Sequence, residues 1–230
     1  MFARIALAAT LGLFAISAIA ADKKTELKSD EQKAGYAMGF QLGINLKKKG
    51  LEIPPDAFAL GVQDALKTAT PRLPVEELQS ALVTYQQKMI ETKKAQAAIN
   101  LKKGEKYRAS NKKKDGVVEL PSGLQYVIVT KGDGPKPKDT DTVVVHYQGT
   151  LINGTIFDSS IKRGTPATFQ LNKIIPGWKE ALLMMPSGSK WKVVIPPHLA
   201  YGANGVGNSI GPNATLLFDI ELMEIKKPGN

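Results

Sequence analysis

The 230-residue chain contains no cysteine and only two histidines, His146 and His198. No disulfide can brace it and no thiolate can act as a nucleophile. Two histidines with no cysteine also argue against a structural zinc site, which needs four N or S ligands. Long apolar runs are absent after residue 20, so nothing beyond that point offers the ~20 apolar residues that span a bilayer. Tryptophan occurs twice. The fold must be held together by core burial alone.

One apolar run is present, at the very start. Arg4 is the only charge among the first twenty residues, Ile5 to Ala20 are almost all apolar, and Ala18-Ile19-Ala20 is a small-x-small cleavage pattern. This reads as a secretory signal peptide over residues 1–20. Export makes nucleic acid an unsuitable partner for the basic excess. The formal net charge is +10, and the excess lies in the first half. Residues 21–115 carry 19 Lys and Arg against 12 Asp and Glu; residues 116–230 carry 11 against 9. The densest runs are Lys47-Lys48-Lys49, Lys102-Lys103 and Lys112-Lys113-Lys114. The main reading is a solvated helical face; weak association with an anionic membrane surface is the minor one.

The two halves differ in period. Residues 21–115 read as helical. A first helix runs from a cap at Ser29 or Asp30 to a stop at Gly50. Its apolar residues, Tyr36 to Leu46, cover more than one face, and Gly35, Gly39 and Gly43 form a flat ridge. A second, short helix starts in "PPDAFALGVQDAL". A third starts at Pro74, with Val75, Leu78, Leu82, Tyr85 and Met89 at three-four spacing. Its apolar stripe then fades into lysines, so the expectation is a helix packed early that projects into solvent later. All-round apolarity in the first helix points to a partner chain, and a homodimer through residues 30–90 follows. After "NKKKDG" (111–116) the pattern alternates. Five strands and one short helix, "PGWKEALLMM", make residues 116–230 an antiparallel sheet with a helical cover. The fold class expected is α+β.

The candidate site residues cluster where large aromatics meet loops. These stretches are Tyr147 in "VVVHYQG", Phe157-Asp158-Ser159-Ser160, Ile174-Ile175-Pro176-Gly177-Trp178, Tyr201 in "AYG", and Phe218-Asp219. On residue type alone, Phe157, Trp178 and Phe218 read as core, Tyr147 and Tyr201 as half-buried tyrosines, and Asp158 as a turn acceptor. His146 alternates to the opposite face from Tyr147 and reads as structural; His198 reads as a loop residue.

Taken together, "VxVHYxGxLxxGxxFDSS", "IIPGW", "AYG" and "GPNATLLFDIEL", spread in order over about residues 120–226, resemble the FK506-binding protein (FKBP) family of peptidyl-prolyl isomerases. The helical half resembles the N-terminal dimerisation domain of the Mip/FkpA-type branch. The resemblance implies a V-shaped homodimer in the Gram-negative periplasm, with outer-membrane association as an option. It implies proline-containing unfolded or exported polypeptides as substrates, macrolides of the FK506 type as inhibitors, and no cofactor or metal. It would make Tyr147, Phe157, Trp178 and Phe218 the walls of a proline pocket with Trp178 its floor. Ile174 and Ile175 would line one edge, the Ile175 N–H donating to a ligand carbonyl. Tyr201 would hydrogen-bond the substrate, Asp158 would orient it from the rim, and Ile210 would close the loop side. Ala167 stands near where many members carry an aromatic, so a wider site and weaker macrolide binding are expected there. The rival functional reading is a non-catalytic dimeric chaperone.

Overall fold

The computed structural model describes residues 26–68 and 70–226; the leader read over residues 1–20 lies outside them. The chain divides into two compact units at Ile44 and Asn45.

Helix α1 (Asp30–Lys48) starts as the sequence predicts. Ser29 Oγ accepts from the Gln32 N–H at 3.3 Å, and Gln32 Oε1 accepts from the Ser29 N–H at 3.2 Å. This reciprocal pair satisfies donors that a helix start leaves open. The helix ends at Gly50, whose φ of 75° favours glycine. There Gly50 N–H donates to Lys47 O and Leu51 N–H to Leu46 O, closing the last carbonyls. No residue of α1 is buried, and Tyr36, Met38 and Phe40 are more than half exposed.

Helix α2 (Pro55–Lys67) begins on prolines, and Pro74 precedes α3 (Val75–Asn111). Arg72 grips Asp64 through Nε (2.5 Å) and Nη2 (3.0 Å), tying the link between the two helices. With 37 residues, α3 is about 55 Å long at 1.5 Å per residue. The expected division of α3 holds only in part: Leu78, Tyr85 and Met89 of its early stripe are half-buried. Its first half exposes Val75, Leu82 and Val83, whereas its only buried residues, Gly104 and Asn111, lie near its end. The late half is exposed over most of its surface but docked along one face. It docks by hydrogen bonds and a glycine, which an apolar stripe cannot reveal.

The second half is one antiparallel sheet of seven strands in the order β1-β2-β6-β7-β3-β4, with β5 also paired to β3. The strands are β1 (Val118–Glu119), β2 (Gln125–Thr130), β3 (Thr142–Leu151), β4 (Ile156–Ser159), β5 (Ala167–Gln170), β6 (Lys190–Ile195) and β7 (Leu216–Lys226). Two were not expected, β1 and β4. Both are too short to show alternation, and β4 runs straight into the single-turn helix α4 (Ser160–Arg163). Alternation holds where it was read. Val143, Val145 and Tyr147 face inward on β3, as do Leu216, Phe218, Ile220 and Leu222 on β7. Helix α5 (Pro176–Met184) supplies Trp178, Ala181 and Leu182 to the same core.

Candidate active site

Four elements deliver rings to one place. β3 brings Tyr147, β4 brings Phe157, β7 brings Phe218, and the first turn of α5 brings Trp178. Register explains the meeting. Gly149 pairs with Asp158 on one side and Phe218 on the other, so β4 and β7 flank the same point of β3. Trp178 is 5 % exposed and stands edge-to-face to Tyr147 (5.0 Å, 87°) and Phe218 (5.2 Å, 82°). Phe157 meets Phe218 at 5.5 Å and 86°. These are the favoured T-shaped arrangements of aromatic quadrupoles. Each ring holds the next, and together they bound a cavity of about 300 Å³.

Of the residues expected at the site, Tyr147, Phe157, Asp158, Ile174, Ile175, Trp178, Tyr201 and Phe218 line this cavity. Ile210 does not. It is 5 % exposed, pairs with Val206 and belongs to the core cluster. Ala167 does not line the cavity. Phe169, two residues along β5 and on the same face, lines the cavity and packs edge-to-face on Trp178 at 5.4 Å. Lys173 also lines it and was not singled out in the sequence.

Asp158 belongs to a triangle. Its Oδ2 accepts from the Tyr147 hydroxyl and its Oδ1 pairs with Arg163 Nη1, while Arg163 Nη2 donates to the Tyr147 oxygen at 2.9 Å. The guanidinium also lies 5.6 Å from the centre of the Tyr147 ring. Arg163 was not expected here. Its contact depends on α4, a turn capped by Ser159 Oγ accepting from the Lys162 N–H at 3.2 Å. That turn folds residue 163 back onto residue 158. Ser160, fully buried, fastens the other side: its Oγ accepts from the Tyr147 N–H at 2.8 Å and lies 3.1 Å from His146 Nδ1. The three residues after Phe157 thus face the site, cap a helix and anchor a strand, in that order. His146 faces away from the cavity, as alternation requires, and His198 Nε2 meets Ser122 O at 3.0 Å.

The electrostatics follow from this geometry. Burial opposes ionisation of Asp158, but the hydrogen bonds from Tyr147 and Arg163 outweigh it, and the carboxyl titrates below an ordinary aspartate. Burial and the bond to Asp158 push the Tyr147 phenol up. Tyr201 is raised by burial and by the charge of Asp158. Both phenols therefore stay protonated at neutral pH. The Tyr201 hydroxyl makes no hydrogen bond among the described residues. The Ile175 carbonyl opens α5 by accepting from Trp178 and Lys179, whereas its N–H has no partner among the described residues. Two free donors therefore border an apolar box. Among the described residues no group of three or more His, Asp or Glu is placed to hold a metal ion.

Comparison with known proteins agrees with this geometry. The family model described as FKBP-type peptidyl-prolyl cis-trans isomerase matches residues 134–223, and the one described as the domain amino-terminal to that isomerase matches residues 31–128. The outer membrane protein MIP of Legionella longbeachae is 46 % identical over 228 residues, covering 97 % of this chain and 98 % of that protein. The peptidyl-prolyl isomerase FkpA of Aeromonas hydrophila is 46 % identical over 216 residues, covering 89 % of this chain and 80 % of that protein. The crystal structure of FkpA from Escherichia coli superposes with a TM-score of 0.62 at 41 % identity, over 88 % of this chain and 99 % of that one. Its likeness extends over both the helical half and the sheet. The chain belongs to the family of FKBP-type peptidyl-prolyl cis-trans isomerases.

Proposed function

We propose that this chain speeds rotation about Xaa-Pro bonds in exported polypeptides, with the proline ring seated on Trp178. The carrying observation is the apolar four-ring box bordered by two unpaired donors. Rotation about the amide meets a barrier of ~18–20 kcal/mol because twisting destroys the C–N resonance. The planar amide is the more dipolar state, so an apolar cavity disfavours it relative to the twisted one. The Ile175 N–H and the Tyr201 hydroxyl hold the carbonyls on either side while the bond turns. Each ~1.4 kcal/mol of differential stabilisation gives a tenfold rate gain. No covalent step is required. Both oxygens of Asp158 are engaged by Tyr147 and Arg163, which suits a group that fixes the wall rather than a nucleophile or base. The experiment is refolding of a protein whose slow phase, seconds to minutes long, is limited by a proline bond. The whole exported chain should shorten that phase at catalytic concentration; an unchanged phase would sink the proposal.

The pH dependence follows from the sign of the shifts. Asp158 is lowered in the folded chain, so its ionised contacts are complete above the unfolded value of about 3.9 and are lost as pH falls through the folded one. Tyr147 is raised, so its proton is retained well into alkaline solution. Peptide turnover should be flat from pH ~5 to ~9 and fall only on further acidification. A profile with a step near neutrality would contradict this assignment.

The helical half supports a second activity. Tyr36, Met38 and Phe40 of α1 and, separately, Leu82 and Val83 of α3 are each more than half exposed, apolar exposure of a kind that marks interaction sites. We assign it to pairing of two copies through residues 30–90 and to holding unfolded clients between them. Sedimentation of the full chain should give a dimer, and Phe40→Lys should shift it toward monomer. Aggregation suppression that survives Trp178→Leu would separate holding from catalysis. The leader over residues 1–20 directs the chain to a Gram-negative periplasm in this reading, so the exported protein should begin near Ala21. Among the described residues no helix is long and apolar enough to cross a membrane. The exposed lysine runs suit weak contact with anionic lipid there. The small side chain of Ala167, near where many family members carry an aromatic, weighs against tight binding of FK506-type macrolides.

A further inference from the structure

Asn100, Gly104, Arg108 and Asn111 recur at intervals of four, four and three, so they share one face of α3. Asn100, Gly104 and Arg108 meet the segment that leads into β7, and Asn111 meets Gln125 on β2. Asn100 Nδ2 donates to Pro212 O at 2.8 Å. Arg108 Nη1 donates to Thr215 Oγ1 at 2.5 Å. Asn111 Nδ2 donates to Gln125 Oε1 at 3.0 Å, and Gln125 Nε2 donates back to the Arg108 carbonyl at 2.9 Å. A Cβ on Gly104 would collide with Thr215 Oγ1, so glycine is what lets the helix lie this close.

The same segment is held from its other side by the rim of the proline pocket. The Asn213 N–H donates to Gly202 O at 2.8 Å, and Asn213 has a φ of 52°, the only positive value at a non-glycine residue among the described residues. Gly202 follows Tyr201 directly, and the Tyr201 carbonyl accepts from Gly205 at 3.2 Å. Thr215 itself is 2 % exposed and precedes the strand that carries Phe218. Residues 212–215 thus form a clamp between the helix and the loop that bears Tyr201.

We propose that Arg108, supported by Asn100, is a positioning residue for the isomerase reaction, acting through Pro212–Thr215 to hold Tyr201 over the substrate. This rests on the reading of Tyr201 as a hydrogen-bond donor to substrate. The long helix is then more than a spacer: its last three turns complete the rim of the site.

The test is a double-mutant cycle in the full exported chain, reading kcat and KM on a Phe-Pro peptide. Arg108→Ala should lower kcat/KM about fivefold, mainly through KM, the scale of one mispositioned hydrogen bond. Tyr201→Phe should do the same. The double variant should be no worse than Tyr201→Phe alone, because residues acting through one group are not additive. Asn100→Ala, a milder change that keeps the guanidinium, should give a smaller loss that also vanishes in the Tyr201→Phe background, and Arg108→Lys should recover part of the activity. Losses that multiply in the double variants would overturn the proposal while leaving Tyr201 in the site. A silent Tyr201→Phe would instead remove the reading of Tyr201, and the proposal with it.

Discussion

Trp178→Ala is expected to cost about 3–5 kcal/mol of stability, the usual range for deleting a buried tryptophan ring, and to reduce peptide turnover by at least a hundredfold. The ring touches three others, Tyr147, Phe169 and Phe218, at centroid distances of 5.0–5.4 Å. Each such pair contributes about 0.5–1.5 kcal/mol beyond area burial. Its loss opens the cavity floor, admits water, and removes the apolar surface on which the proline ring would rest. Both effects push the same way, since water re-stabilises the dipolar planar amide. Urea unfolding reports the first and peptide kinetics the second. Trp178→Leu separates them: it should restore part of the stability and little of the rate. A leucine variant with full activity would show that the floor needs only bulk.

Gly149→Val should be nearly as damaging, by the opposite route. Gly149 sits near the end of β3, between its partners Asp158 and Phe218. A Cβ there would lie 2.5 Å from Phe157 Cζ and 2.8 Å from Phe218 Cε1. Real side chains do not approach so closely, so both rings must move, and the space they can move into is the cavity. Overpacking of this kind costs about 1–3 kcal/mol, which a folded core can survive. The expected result is retained far-UV circular dichroism with turnover lowered more than tenfold. Gly149→Ala should lie between the two. Unchanged turnover in the valine variant would mean that the rings are free to move without disturbing substrate.

The success of the sequence reading follows the physics of each signal. The alternation of Val143, Val145 and Tyr147 exposes an inward face directly, because a strand has period two. The Asp158-Ser159-Ser160 run is legible as polar groups at a strand end, although only the structure separates their three tasks. Arg163 was hidden because its place depends on a one-turn helix that no periodicity announces. Phe169 shares one face of β5 with Ala167, and its larger ring is what reaches the cavity. Ile210 takes its place at the rim from the resemblance alone; in the structure it pairs with Val206 and is 5 % exposed. The late half of α3 was read as solvent-facing because hydrophobic periodicity is blind to a face that docks through Asn100, Gly104, Arg108 and Asn111.

The most direct test of the account is the cis-to-trans rate of a Phe-Pro peptide with residues 21–230 and with their Asp158→Ala variant. The account predicts acceleration proportional to chain concentration, reduced about tenfold or more in the variant, because Tyr147 and Arg163 lose the charged partner that fixes them. A peptide that isomerises no faster with the intact chain than in buffer would contradict the claim that this aromatic box is an isomerase site.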